Sequence, residues 1–199
     1  SEERKVYLFQ MLRNASKNMV QLLDEVLLVG QTESDTFQCN LTELNLELFC
    51  LELAEQLQFN ADKKQIEVVF EAQGKITQSA WDENLLRHIL GNLLANAIKY
   101  SPEGNKVLFE LIPQEQDIIF RIQDWGIGIP SQDHQNLFQP FHRASNVGRI
   151  PGTGLGLAIV KSCVEAHQGQ IVLDSEVDQG TTVTVTLPLL FLDTKIENS

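Results

Sequence analysis

An α/β fold that follows one long helix is predicted by three features of the sequence. The first thirty residues hold an unbroken heptad pattern. The stretch after them alternates helical stripes with β-branched runs, and a loop rich in glycine and proline interrupts that alternation at 124–156. The chain has 199 residues, 43% of them hydrophobic, enough for one core with a small appendage. Fifteen Lys and Arg against 27 Asp and Glu give a formal net charge of −12, which repels a polyphosphate backbone and excludes general nucleic-acid binding. The longest purely apolar run, Leu189 to Leu192, is far too short to cross a bilayer, so the segment is expected to be cytoplasmic and to make no membrane contact. Cys39, Cys50 and Cys163 are odd in number, lack C-x-x-C spacing and read as reduced packing residues.

In chain order, Leu8, Leu12, Ala15, Met19, Leu22, Val26 and Val29 keep a 4-3 spacing. Residues 1–31 are therefore expected to be a bundle or coiled-coil helix that favours dimerisation, the alternative being a long core helix of a single globule. Residues 32–36, small and acidic, read as a linker; 37–190 form the main domain and 191–199 a tail. Within that domain, Phe37 to Asn40 is expected as a short strand, Leu44 to Gln58 as a helix and Ile66 to Glu71 as a strand. Asp82 is placed to cap a helix that Pro102 stops. Lys106–Ile112 and Asp117–Asp124 read as a hairpin. Leu157–His167 reads as a helix, and Gln170–Glu176 pairs with Thr181–Leu187.

Four stretches carry chemistry. On the helix after Asp82, His88, Asn92, Asn96 and Lys99 stand at i, i+4, i+8 and i+11 and share one face. Amide oxygens there suit a hydrated Mg2+ that also touches phosphate, and Lys99 would neutralise that phosphate. In Asp124-Trp125-Gly126-Ile127-Gly128, an acid ends a strand and two glycines let backbone approach a flat ligand; the carboxylate can accept from an amino group such as that of adenine. In Gly152-Thr153-Gly154-Leu155-Gly156, three glycines run into a helix whose free N–H groups make an anion site. It is neither a dinucleotide fingerprint nor a P-loop. Between these lies Phe138-Gln139-Pro140-Phe141-His142-Arg143, the start of a basic segment able to close over phosphates. Each stretch alone has a plainer reading: a solvated helix face, a turn, a hinge before a helix, an anchored loop.

Together and in this order, the four stretches resemble the ATP-binding domain of the sensor histidine kinases, within the wider gyrase, Hsp90 and MutL-like ATPases. Asn92 to Pro102 is similar to the family's N box, Asp124 to Gly128 to its first glycine box, Phe138 to Arg143 to its F box and Gly152 to Gly156 to its second glycine box. The resemblance covers about Phe37 to Leu187, and the helix before it resembles the second helix of the family's dimerisation and phosphotransfer hairpin. It implies a Bergerat-type two-layer α/β sandwich, a mixed sheet under helices, binding ATP and Mg2+.

By position, it implies that Asn92 holds Mg2+ and that Asn92 and Asn96 meet phosphate. Lys99 and Tyr100 would meet phosphate or sugar, and Asp124, with Gly126 and Gly128, would form the adenine pocket. Gly152, Thr153, Gly154, Leu155 and Gly156 would line the phosphates, Thr182 would stand near adenine, and Arg143 would stabilise the transferred γ-phosphoryl. The implied partners are a response-regulator receiver domain and, through the N-terminal helix, a second copy of the chain.

The sequence departs from the family pattern twice. The superfamily's ATP hydrolases carry a Glu four residues before the first Asn, where this chain has His88, so hydrolysis is expected to be poor. His88 would instead polarise the acceptor or order a Mg2+ water, or serve structure. The family's acceptor His, followed by Glu or Asp, is matched by none of His88, His134, His142 and His167. The sequence opens in mid-pattern at Ser1, which leads to the expectation that the acceptor lies on a helix outside these residues. A nucleotide-gated interaction module is the alternative function.

Overall fold

The computed structural model describes residues 2–32, 39–75 and 79–190, and the chain divides into two units, 1–37 and 38–199. The first unit is one 31-residue helix, α1 (Glu2–Thr32), which runs through Gly30 without a break. Leu8, Leu12, Met19 and Val26 of the heptad seam are all exposed on it; the side chains of Ala15, Leu22 and Val29 lie outside the described residues, as do 33–36 of the expected linker and the tail 191–199.

The second unit contains β1 (Thr42–Glu43), α2 (Leu46–Ala61), β2 (Glu67–Ala72), β3 (Ala80–Trp81), α3 (Glu83–Tyr100), β4 (Lys106–Pro113), β5 (Asp117–Asp124), α4 (Gly156–Ala166), β6 (Gln170–Glu176) and β7 (Gly180–Pro188). Five strands form one mixed sheet in the order β2-β4-β5-β7-β6, parallel between β2 and β4 and antiparallel elsewhere. Period-two alternation sets its two faces. Val107, Phe109 and Leu111 of β4, Ile118, Phe120 and Ile122 of β5, and Val183, Val185 and Leu187 of β7 are all buried and lie in register with one another. Against this face pack α2, α3 and α4, giving the two layers of an α/β sandwich.

The helix boundaries follow from capping. Asn45 Oδ1 accepts from Leu48 N at 3.1 Å, so α2 starts at Leu46, two residues later than expected. Asp82 Oδ1 accepts from Leu85 N at 3.1 Å and opens α3. At the other end Pro102 holds Ser101 extended (φ −72, ψ 143) and the helix stops at Tyr100. The first strand is Thr42–Glu43, paired with β3, in place of Phe37–Asn40, of which 37 and 38 lie outside the described residues. Neither β1 nor β3 is long enough to show a period. The long loop at 125–155 holds one short helical turn, Ser131–Asn136.

Candidate functional site

Two helices and the ends of three strands converge where the sequence motifs fall. Along α3 the stripe of His88, Asn92, Asn96 and Lys99 is half-buried rather than solvated. Asn92 Nδ2 donates to the His88 carbonyl at 2.8 Å. Only the amide nitrogen can donate to a carbonyl, so this bond orients the side chain and turns Oδ1 outward. There it faces the first residue of α4: a Cβ built on Gly156 would lie 2.9 Å from Asn92 Oδ1 and 3.9 Å from Asn96 Nδ2. One turn further on, a Cβ on Gly152 would lie 2.6 Å from Lys99 Nζ and 3.9 Å from the Tyr100 hydroxyl. The second glycine run is thus laid along α3, where a Cβ at 152 would displace the Lys99 ammonium and one at 156 would press on the Asn92 amide. Lys99 Nζ also sits 4.6 Å above the Tyr100 ring.

The acid of the first glycine motif lies beyond Tyr100, past the C-terminal end of α3. Asp124 is buried on the helix-facing side of β5, and its Oδ1 accepts from Gly126 N at 2.8 Å. Burial pushes its carboxyl up to about 6, against the opposing pull of N–H bonds from Gly126 and Thr181. A Cβ on Gly126 would lie 2.5 Å from the Tyr100 carbonyl, and Ile127 N donates to that carbonyl at 3.3 Å, so this loop is fastened to the end of α3. On the other side, Gly128 (φ +60) abuts the Glu176 carbonyl, where any side chain would collide with backbone.

Strand register corrects one expected contact. Asp124 pairs with Thr181, and Thr182 pairs with Gln123 and Asp174. Thr182 therefore belongs to the opposite face of the sheet from Asp124, and Thr181 is the threonine beside the acid. Its hydroxyl is 2.9 Å from Ser175 Oγ, which itself takes the Ile129 N–H at 2.9 Å.

The segment between the glycine runs is tied to both. Asn146 Nδ2 donates to the Gly128 carbonyl at 2.9 Å, while Gly154 (φ +77) leaves no room for a Cβ beside the Phe141 and His142 backbone. Asp133 accepts from both Ser145 N and Ser145 Oγ at 2.7 Å, which holds its carboxyl below the usual range. Arg143 is exposed and donates to the Ile150 carbonyl within the segment itself, not to a cleft residue. Leu155 is buried and gives its N–H to Thr153 Oγ1 at 3.2 Å just before α4 begins. The structure thus brings together Asn92, Asn96, Lys99, Tyr100, Asp124, Gly126, Gly152 and Gly156. Sequence reasoning missed Thr181, which only the register against β5 separates from Thr182, and Lys64, whose ammonium lies against the end of α3.

Residues 81–190 match the profile of the family described as histidine kinase-, DNA gyrase B- and HSP90-like ATPases. The chain belongs to this ATPase family. The matched span begins at β3 and contains every cleft residue named above. Over 180 residues the chain is 31% identical to the sensor histidine kinase WalK of Bacillus subtilis, a match covering 88% of this chain and 29% of WalK. It is 30% identical over 186 residues to the adaptive-response sensory kinase SasA of Gloeothece citriformis, covering 93% of this chain and 47% of SasA. The crystal structure of full-length ShkA in complex with AMPPNP superposes with a TM-score of 0.80 at 25% identity, over 92% of this chain and 38% of that one. The chain spans less than half the length of each. Among its described residues, no helix of this ATPase-family chain is long and apolar enough to cross a membrane.

Proposed function

We propose that this chain is the catalytic part of a two-component sensor protein-histidine kinase. It binds ATP with Mg2+ in the cleft between α3 and the glycine runs and passes the γ-phosphoryl to a histidine outside these residues, and thence to an aspartate of a response-regulator receiver domain. The observation that carries the reading is that Asn92 and Lys99 of one helix face Gly156 and Gly152, while the Asp124 carboxylate holds Gly126, whose loop is fastened to the Tyr100 carbonyl at the end of that helix. The spacing suits the ligand: an acceptor for the adenine amine at one end, cationic and N–H donors for phosphates at the other. The AMPPNP bound in ShkA supports a nucleotide as that ligand.

The donor set fits Mg2+. Asn92, its amide nitrogen held by the His88 carbonyl, offers one neutral oxygen toward Gly156. That is what a cation held mainly by water and phosphate requires. When bound, it would neutralise phosphate charge. The protein's own work is positioning: Asn92 is locked by the His88 carbonyl, and Lys99 is aimed at the Gly152 turn. Arg143, in the segment between the glycine runs, would reach the γ-phosphoryl only when that segment closes. The histidine nitrogen attacks phosphorus as the bond to the β–γ bridging oxygen breaks, and ADP leaves; no strong water-activating base is needed, consistent with His88 in place of Glu. The exposed seam of α1 supports pairing with a second copy, and the segment is assigned to the cytoplasm.

The test mixes the 199-residue chain with γ-labelled ATP and a separately made acceptor helix carrying a His-Glu pair. Label on the helix histidine, lost with Asn92→Asp, is the expected result. Tight ATP binding with no transfer to any family acceptor helix would favour a nucleotide-gated interaction module instead.

A further inference from the structure

We infer that Lys64 is a positioning residue for the triphosphate end of the cleft. The inference rests on the nucleotide-binding reading above. Lys64 lies in the turn between α2 and β2, far in sequence from every cleft motif. Its Nζ donates to three carbonyls at once, Ile98 at 2.9 Å, Lys99 at 2.9 Å and Ser101 at 2.5 Å. Those three oxygens surround the last turn of α3, the turn that carries Lys99 and Tyr100.

The need for this ammonium follows from the sequence of that turn. A helix ends with four carbonyls that have no partner within it. The Ile98 carbonyl would ordinarily take an N–H from position 102, which is Pro102 and has none. The Ala97 carbonyl is served by Ser101 N at 3.1 Å and the Tyr100 carbonyl by Ile127 N. Ile98 and Lys99 remain, and Lys64 supplies both, adding Ser101 beyond the helix. A cation also suits the negative end of the helix dipole. Burial lowers the ammonium pKa relative to an exposed lysine, yet the three acceptors face it directly. The Lys64 carbonyl in turn takes the Gly104 N–H at 3.0 Å, so the α2–β2 turn and the α3–β4 turn are clamped to each other.

The consequence falls on function more than on folding. Lys99 Nζ must hold its place beside the Gly152 turn, and its own backbone carbonyl is one of the three that Lys64 grips. Without the clamp, the last turn of α3 frays and Lys99 and Tyr100 lose their bearing on the phosphates. Asp124 is fixed by the pairing of β5 with β7 opposite Thr181, and the loop beside it rests on the Tyr100 carbonyl, which is not among the three that Lys64 grips. Lys64 thus acts on the phosphate end and leaves the adenine end alone.

The experiment measures ATP and adenosine affinity of the 199-residue chain by competition against a fluorescent ATP analogue, for wild type, Lys64→Met, Lys64→Arg and Lys99→Met. Lys64→Met is expected to weaken ATP about tenfold, the loss of a charged hydrogen-bonded anchor, and to change adenosine affinity by less than about twofold. Lys64→Arg, which keeps several donors and the charge, is expected to restore most of the ATP affinity. A general loss of fold would weaken both ligands equally and would not separate them. Equal weakening of ATP and adenosine, or unchanged ATP affinity in Lys64→Met while Lys99→Met is weak, overturns the inference. Should wild type bind no ATP, or Lys99→Met bind as well as wild type, the nucleotide-site reading itself falls.

Discussion

Asn92 and Gly156 are in contact across the cleft: a Cβ at 156 would lie 2.9 Å from the Asn92 amide oxygen. Gly156 is also the first residue of α4, where alanine is ordinarily the better helix former by about 1 kcal/mol. The two effects separate stability from function. Gly156→Ala is expected to leave the melting temperature within a few degrees of wild type, while the added methyl displaces Asn92 and weakens ATP at least about tenfold. Calorimetric titration beside a thermal melt checks it; an unchanged dissociation constant removes Asn92 from the ligand.

Asp124 makes a prediction about pH. Its folded pKa of about 6 lies above the ordinary 3.8, because burial disfavours the charge. Between those values the native state holds the proton that the unfolded chain has released. The contribution to stability is therefore greatest below about pH 4 and falls, on the order of 3 kcal/mol in all, as pH rises to 6. Asp124→Asn lacks this slope, so the difference between the two proteins in denaturant melts from pH 4 to 7 isolates it. Adenosine, which has no phosphate to titrate, is expected to bind wild type more weakly as pH falls through 6, and Asp124→Asn weakly and without that pH dependence. A parallel pH dependence in both proteins would place adenine elsewhere.

Much of this was legible in the sequence because its patterns are local. Asp82 and Pro102 mark both ends of α3, and the alternation in Ile118, Phe120 and Ile122 marks β5 and its buried face. The glycine motifs could be read as close approaches, though only the fold shows what each approaches: Lys99 for Gly152, Asn92 for Gly156, the Tyr100 carbonyl for Gly126. What was not legible is set by pairing between distant segments. Thr181 and Thr182 are neighbours of the same type, and only the register against β5 decides which shares a face with Asp124. Lys64 is one of two adjacent lysines in a polar turn; its role arises from a proline 38 positions later and has no local sign. The two-residue strands β1 and β3 are too short for a period to exist.

The seam of α1 makes a separate prediction. Leu12 is 66% exposed on a helix that also leaves Leu8, Met19 and Val26 in water. Four such residues at heptad spacing are what a second helix covers, and a charge at one of them is costly once buried. Leu12→Lys is expected to turn a dimeric wild type into a monomer without altering ATP affinity. Sedimentation velocity decides it: an unchanged coefficient for the variant of a dimeric parent means that the contact lies elsewhere.

His88 stands one helical turn before Asn92 on the same face of α3, and its carbonyl already holds the Asn92 amide. Replacing its side chain leaves that backbone bond in place, so the nucleotide ligand set survives the change. A carboxylate one helical turn before Asn92 on this face would stand beside the phosphate end of the cleft, where it can act as a base on water. His88→Glu is therefore expected to raise ATP hydrolysis at least about tenfold, a modest share of what a positioned general base supplies, with ATP affinity within about threefold of wild type. Phosphate release under saturating ATP measures it. A rate no higher than wild type, in a variant that still binds ATP, would mean that the side chain at 88 does not reach the water beside the γ-phosphate, and the weak hydrolysis expected of this chain would need a cause other than the missing acid.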